Sequence, residues 1–298
     1  MEPLVSILVI TYNSSKTVLE TLDSAKLQDY SNIELIISDD CSTDDTAEIC
    51  NTWLDNNKER FVRALLIKAD ENHGVSANCN QAIRAAQGEW GKIIAGDDIL
   101  LPNCISSNVK FLKDNPDAKF IFSQMTSFVV EKGEKKLHVI HPEADRVKIF
   151  QASAEEQHKV LFDFSFPPTP TFFFQMETMK QNLYNERYKY CEDYPQFFLL
   201  TGKGYRFYLN LANLVLYRKE ESLYHSSTRF FNESFVLTYK EFFYNEMAGY
   251  LFANNKIVYN KHIKKILLYD FAIIVLKNKK TVFNKLLYKI AKKFLQNI

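Results

Sequence analysis

Apolar and polar positions along the first 125 residues follow two alternating periods. Short, nearly continuous apolar runs at 5–10, 34–38, 64–68, 91–95 and 120–122 predict buried strands. Between them, apolar residues recur every three or four positions over 16–27, 44–56, 75–86 and 105–114, which predicts helices. Gly74 precedes the third helix, and Pro102 with Asn103 stands where the fourth should begin. A regular β-α-β-α order implies an α/β fold with a doubly wound, mainly parallel sheet flanked by helices. Such sheets bind ligands beyond the carboxyl ends of their strands. Here those ends read Thr11-Tyr12-Asn13, Asp39-Asp40 and Gly96-Asp97-Asp98.

Beyond residue 125 the alternation fails. Residues 129–140 predict a hairpin turning at Lys132-Gly133, 155–162 a short helix, and 166–170 a proline-rich loop leading into 171–175. A helix is expected over 194–201, ended by Gly202 and Gly204, and then a strand over 205–217. From about 230 the pattern is helical, through 235–252 and two lysine-rich segments. There is no internal repeat and no Gly/Ser linker.

A hydrophobic fraction of 46% with 14% aromatic residues excludes a disordered chain. The net charge of +1 argues against a general nucleic-acid binder, but it hides an asymmetry. Residues 256–298 hold eleven lysines against one acid, Asp270, a local charge of +10, which leaves −9 for the first 255 residues. Lys261, Lys264 and Lys265, then Lys285, Lys289, Lys292 and Lys293, recur at helical spacing, with Ile263, Ile266 and Leu267, then Leu286, Leu287, Ile290 and Phe294, on other faces. Two readings stand: a basic amphipathic surface for an anionic membrane, or the solvated face of helices packed on the domain. The N-terminus has no basic region and its apolar run stops at Thr11, so it reads as a strand and not a signal peptide. The longest apolar stretch, 266–276, is interrupted by Asp270 and falls short of the roughly 20 residues that span a bilayer. Five cysteines, odd in number and without a C-x-x-C pair, suit free thiols in a reducing cytoplasm.

The chemistry is concentrated in carboxylates. Asp97 and Asp98 are adjacent at a strand end, where they repel unless a cation or donors compensate. A hard cation such as Mg²⁺ or Mn²⁺ takes one or two carboxylates and completes its shell with phosphate and water. The alternative is an Asp pair capping the next helix. Glu192-Asp193 precedes the helix expected over 194–201 and either favours the positive end of its dipole or supplies a proton acceptor. His138-x-x-His141 has ligand-like spacing but lies in the hairpin without a third ligand, and Gly202-Lys203-Gly204 lacks the spacing of a phosphate loop. The aromatic stretch 164–174 offers faces for a sugar or lipid acceptor, or packs in the core. Tyr217-Arg218 and His225 read as strand-end surface residues or as contacts to a diphosphate or acceptor.

Pro3-Leu4-Val5-Ser6-Ile7 through Tyr12-Asn13, then Leu22, Ser24, Gln28, Tyr30, Asn32 and Glu34, and the run Ser38-Asp39-Asp40-Cys41-Ser42-Thr43-Asp44, form one dispersed pattern. Asn72-x-Gly74, Asn80, Ala86-x-Gly88-Glu89 and Gly96-Asp97-Asp98-Ile99-Leu100-x-Pro102 continue it in order. Over about 110 contiguous residues the pattern resembles the N-terminal signature of family 2 glycosyltransferases. The resemblance implies a GT-A fold and an inverting, metal-dependent hexosyl- or hexosaminyltransferase of the type that builds bacterial surface polysaccharides. Mn²⁺ or Mg²⁺ would be the cofactor. The donor would be a nucleotide-sugar, UDP being the commonest nucleotide in such families, and the acceptor a saccharide or lipid-linked saccharide.

Carried over by position, Thr11, Tyr12, Asn13, Asp39, Asp40, Asn72, Gly74, Asn80, Gly96, Asp97 and Asp98 would bind the nucleotide-sugar. Tyr12 would pack on the base, Asp40 would accept a hydrogen bond from it, and Asp97 would hold the metal with Asp98 in support. Glu192-Asp193 would be the catalytic pair, with Asp193 as general base. Two positions depart from the family: Ala95 replaces the first Asp of its Asp-x-Asp motif, and Cys79 stands where an Arg often precedes Asn80. The implied domains are 1–225, with a nucleotide-sugar-binding half over 1–125 and an acceptor half over 126–225, and a lysine-rich helical extension over 226–298. The expected location is the cytoplasm, peripheral at the inner face of the membrane. The departures also motivate a rival, a non-catalytic membrane or scaffold protein on a degenerate GT-A domain, whereas nucleic-acid binding is opposed by the acidic body.

Overall fold

A computed structural model describes residues 2–219 and 228–297. The chain divides into two compact units, one of residues 1–161 and 165–218, the other of 162–164 and the chain from 219 onward. The boundary expected at 225 falls among residues 220–227, outside the described ones.

The first unit is built on one nine-stranded sheet. Its first half comprises β1 (Val5–Thr11), β2 (Ile33–Asp39), β3 (Arg63–Lys68) and β4 (Trp90–Ala95), connected by α1 (Val18–Lys26), α2 (Thr46–Asn57) and α3 (Val75–Ala85). Every residue of β1 and β2 is buried, because helices cover both faces, and this is why their sequences read as continuous apolar runs. The pairs β3–β2, β2–β1 and β1–β4 are all parallel. Their register sets Thr11 beside Asp39 and Ile10 beside Ala95, so three strand ends finish level with one another.

After a two-residue strand β5 (Ile99–Leu100) and α4 (Cys104–Asp114) come β6 (Phe120–Glu131) and β7 (Glu134–His141), the expected hairpin. Both His138 and His141 lie on β7, with a register irregularity between Leu137 and Ile140, and among the described residues they belong to no group of three metal-ligating side chains. Helices α5 (Ala144–Val147) and α6 (Ala154–Leu161), strand β8 (Phe173–Gln175), α7 (Met176–Lys180), α8 (Asp193–Gly202) and β9 (Phe207–Arg218) complete the unit. This half is not parallel throughout. β8 runs antiparallel to both β4 and β6, β5 is antiparallel to β9, and only β6 and β9 pair in parallel. The sheet is therefore mixed, and the parallel expectation holds only where helices cross between successive strands.

Phe122 packs between Phe172, with ring centroids 5.0 Å apart, and Phe197, at 5.2 Å edge to face. Phe166, Phe172, Phe173 and Phe174 are all buried. That settles the aromatic stretch in favour of the core, where its apolar area stabilises the junction of β6, β8 and α8.

The second unit contains α9 (Glu233–Phe242), α10 (Ala248–Asn254), α11 (Lys256–Asp270) and α12 (Val282–Asn297), with π-helical turns at Phe243–Met247 and Phe271–Val275. Tyr239 Oη and His262 Nδ1 share a hydrogen bond of 2.5 Å at its centre, and His262 Nε2 lies 2.8 Å from the Phe162 carbonyl. Among the described residues no disulfide joins the cysteines. Among the described residues, no helix is long and apolar enough to cross a membrane.

Candidate active site

The level strand ends bring the first group of residues together. Thr11 Oγ1 donates to Asp39 Oδ1 at 3.0 Å, and Asp39 Oδ2 accepts from the Ser42 N–H at 2.9 Å. Asn13, at φ 52, reaches the same loop: its N–H donates to Ser42 Oγ and its Oδ1 accepts from the Thr43 N–H, both at 2.8 Å. Two loops after neighbouring strands are thus tied to each other, with Tyr12 left 44% exposed between them. Buried Asp39 organises this loop pair.

Asp40 anchors the next element. Its two carboxylate oxygens accept from the His73 and Gly74 N–H groups, each at 2.9 Å, at the N-terminus of α3. Backbone N–H groups at a helix start are a natural seat for an acidic side chain. Asn72 donates to the Asp40 carbonyl at 3.4 Å. Gly74 has φ 94, and a Cβ there would come within 2.9 Å of Lys189 Cβ. Asn80 is spent elsewhere: its amide donates to the Tyr184 carbonyl at 2.9 Å and to Glu186, and its oxygen accepts from the Tyr184 N–H. Asn80 therefore fixes the 184–186 loop. Val75 N–H donates to the Lys189 carbonyl and Ser76 Oγ to that of Tyr188, so the chain just before Glu192 is laced to the start of α3.

The acid pair after β4 is asymmetric. Asp97 is half-buried and Asp98 fully buried. Asp98 Oδ1 accepts from the Arg218 N–H at 2.9 Å, and Thr21 Oγ1 donates to its carbonyl at 2.7 Å. Burial, with Asp97 beside it, holds the Asp98 carboxyl well above the usual carboxylate range. Arg218, at the end of β9, donates Nε to the Asp97 carbonyl at 2.8 Å, pairs with Glu20, and stands 4.7 Å over the Phe128 ring. It is only 7% exposed, so it is a buried brace of the Asp97-Asp98 turn and not a surface residue. His225 lies outside the described residues. Gly96 is required by space, since a Cβ would meet Thr11 Cγ2 at 2.9 Å.

Glu192 and Asp193 stand at the start of α8. Asp193 Oδ1 accepts from the Tyr194 N–H and Oδ2 from Thr169 Oγ1, both at 2.7 Å. Glu192 Oε2 is buried without a hydrogen-bond partner among the described residues. Its carboxyl is pushed up to about 8, by burial first and then by Asp193. The electrostatic neighbours of this pair place it in the fold. Cys79 is raised by burial and then by Glu192 and Asp40, and Tyr217 is pushed up to about 12 by burial and then by Asp98, Asp97 and Asp193. Asp97, Asp98 and Asp193 thus all lie within electrostatic reach of Tyr217 at the end of β9.

Among the described residues, no group of three His, Cys, Asp or Glu side chains forms a protein cage for a metal. The donor set fits a hard cation held by Asp97 and completed by phosphate and water, with Asp98 committed in part to Arg218. Ala95, the position of the missing acid, is exposed at the end of β4 and adds no ligand.

Sequence reasoning missed Thr169, Glu20 and Lys92. Lys92 is fully buried on β4, where its Nζ donates to the carbonyls of Ile93 and Pro170, at 2.5 and 2.7 Å, and burial lowers its pKa to about 8. It clamps the turn that carries Thr169. A lysine inside a continuous apolar strand was the visible signal for it; Thr169 had none.

A model of the Glycosyl transferase family 2 family matches residues 6–182. The chain is similar to the Escherichia coli UDP-Glc:alpha-D-GlcNAc-diphosphoundecaprenol beta-1,3-glucosyltransferase WfaP, 33% identical over 129 residues, which are 43% of this chain and 47% of that enzyme. The match thus spans about half the length of that relative. Glycosyltransferase GlyG of Streptococcus pneumoniae serotype 4 is 28% identical over 230 residues, covering 74% of this chain and 72% of that one. Among solved structures, S. aureus TarS 1-349 in complex with UDP-GlcNAc superposes with a TM-score of 0.56 at 19% identity, over 97% of this chain and 79% of that one. The mannosyltransferase PcManGT from Pyrobaculum calidifontis, in complex with GDP-Man and Mn2+, gives 0.55 at 17% identity, over 99% and 70%. At these identities the structural likeness is one of fold, and the fold is GT-A.

Proposed function

The chain belongs to glycosyl transferase family 2, and on that premise we propose that it transfers one hexosyl or hexosaminyl residue, with inversion, from a UDP-sugar to a saccharide or lipid-linked saccharide. The observation that carries this reading is that Tyr217, at the end of β9, lies within electrostatic reach of Asp97 and Asp98 on one side and of Asp193 on the other. A donor whose diphosphate lies at Asp97 and Asp98 presents its anomeric carbon toward Asp193. The relatives add support: WfaP is named for a UDP-Glc donor and a diphosphoundecaprenol-linked acceptor.

In the proposed reaction the acceptor hydroxyl gives its proton to the Asp193 carboxylate as its oxygen bonds to the anomeric carbon. The bond from that carbon to the diphosphate breaks on the opposite face, and the electron pair leaves with the nucleoside diphosphate. A positioned base of this kind contributes about 10²–10⁴-fold. Thr169 and the Tyr194 N–H hold Asp193 aimed, while burial holds the neighbouring Glu192 carboxyl well above the usual carboxylate range. Asp97 would hold Mn²⁺ or Mg²⁺, which when bound would supply Lewis-acid stabilisation of the departing diphosphate. Tyr12 offers its face to the base, and Asp40 accepts from the base through its second lone pairs while holding the start of α3. Thr11, Asn13, Asp39, Asn72, Gly74, Asn80 and Gly96 shape the loops that receive the donor. The cytoplasm, where nucleotide-sugars are made, is the proposed site of action.

The test is donor turnover across a panel of nucleotide-sugars with Mn²⁺, for the wild type, Asp97→Ala and Asp193→Asn. Asp193→Asn should lower kcat about 10²–10⁴-fold while UDP still binds, and Asp97→Ala should abolish metal-dependent donor binding. A wild type that neither binds nor turns over any nucleotide-sugar would return the field to the scaffold reading. Asp193→Asn keeping most activity would remove the base assignment alone.

A further inference from the structure

The second unit exposes an apolar surface that its own packing does not use. Helix α12 lies on its unit through Asn284, Leu287, Tyr288, Ala291 and Leu295, which are half-buried. Tyr288 stacks on Phe230 at 4.9 Å, and Asn284 Nδ2 donates to the Leu276 carbonyl at 3.1 Å. Phe283, Leu286, Ile290 and Phe294 form a separate stripe at three- and four-residue spacing, and each is between 56% and 66% exposed. Leaving four large apolar side chains in one row in water is unfavourable for a surface that touches only solvent. Along the flank of that stripe run Lys285, Lys289, Lys292 and Lys293, all exposed. No acid occurs between residues 271 and 297, and none of the four lysines forms an ion pair among the described residues.

Helix α11, the other lysine-rich segment, differs. Lys261 pairs with Asp163 at 2.6 Å, Lys265 stands 4.2 Å over the Tyr239 ring, and its terminal Asp270 pairs with Lys240. Its His262, Ile266 and Tyr269 are buried. The lysines of α11 are thus partly engaged within the unit, whereas those of α12 are not.

We propose that α12 is a membrane-docking surface that lies in the plane of an anionic bilayer, with Phe283, Leu286, Ile290 and Phe294 in the acyl boundary and the four lysines at headgroup level. The occupant follows from charge complementarity. A single-sign lysine flank beside an apolar stripe matches a continuous sheet of anionic headgroups over hydrocarbon, the arrangement of interfacial helices. The stripe is sixteen residues of one helix at most, too short to cross. The inference goes beyond the transferase reading and does not depend on it, since its readout involves no transfer.

The experiment is co-sedimentation of the full chain with vesicles of phosphatidylglycerol in phosphatidylcholine and of phosphatidylcholine alone, at low and high salt. Three variants accompany it: Lys289→Glu with Lys293→Glu, Leu286→Ser with Ile290→Ser, and Ile290→Trp. The wild type should bind the anionic vesicles only and be released by salt. The double lysine variant should bind about thirtyfold more weakly or worse, and the double apolar variant should lose binding, both with unchanged circular dichroism. The Ile290→Trp emission should shift to the blue on anionic vesicles, a signal independent of whether the double variants fold well. Equal binding to neutral vesicles, or no binding by the wild type, would overturn the proposal. So would a concentration-dependent dimer of Ile290→Trp that shields the introduced indole without lipid, which would make the stripe a protein interface.

Discussion

Glu192→Gln isolates the electrostatics of the acid pair. In the folded chain the Glu192 carboxyl titrates near 8, whereas the ordinary value is 4.5. Between those values the unfolded chain has lost the proton and the folded chain retains it, so unfolding releases a proton and rising pH favours the unfolded state. The wild type should therefore lose stability across this window. The loss approaches 1.4 kcal/mol per pH unit where the folded group is fully protonated, or about 5 kcal/mol over the whole shift. Gln has nearly the shape of a protonated Glu and does not titrate, so it removes this slope while leaving the packing in place. From pH 6 to pH 7.5 the wild type should fall relative to Glu192→Gln by about 2 kcal/mol. Urea denaturation of both proteins at half-unit pH steps measures the difference directly, because groups common to both cancel. Transfer activity should survive Glu192→Gln, because the proposed base is Asp193 and not Glu192. Parallel stability curves would refute the burial argument, and a variant as inactive as Asp193→Asn would refute the division of labour within the pair.

Two further outcomes follow from the same geometry. Thr169→Val removes the donor 2.7 Å from Asp193 Oδ2 with little change in volume; kcat should fall about tenfold with donor KM unchanged. Gly74→Ala forces a Cβ within 2.9 Å of Lys189 Cβ and 3.0 Å of its carbonyl at φ 94; the cost, about 2 kcal/mol or more, should appear as a lower urea midpoint and weaker UDP binding by calorimetry.

What could be read from the sequence was local or carried by chain order. The apolar runs of β1, β2 and β4 exist because strands buried on both faces favour apolar residues on both, with the exceptions Ser6, Glu34 and Lys92 hydrogen-bonded inside, and this pattern appears without any tertiary knowledge. Acids placed directly after such runs were legible as a site because parallel strands joined by helices must finish on one edge. Glu192-Asp193 was legible from its place before a helix and from the family resemblance. The sense of the strands beyond β4 was not, since a three-residue β8 and a two-residue β5 are too short to carry a period.

The sequence also could not assign partners. Arg218 braces the Asp97-Asp98 turn and pairs with Glu20, 198 residues away, and Thr169 meets Asp193 across a proline-rich loop held by Lys92. Asp39, Asp40 and Asn80 looked alike as polar strand-end or helix residues, yet the fold spends Asp39 on a loop, Asp40 on the start of α3 and Asn80 on the chain at 184–186. In the tail, two lysine-rich helices with similar spacing were indistinguishable until packing buried one face of each and left the apolar stripe of α12 exposed. By itself, then, the sequence determined the parallel half of the sheet, the acids at its edge and the charge of the tail, because periodicity and order are written along the chain. Only the tertiary structure decided which carboxyl is buried, which side chains bond its neighbour and which apolar stripe of the tail faces water. Burial and hydrogen-bond partnership arise between residues distant in the chain, and only folding brings them into contact.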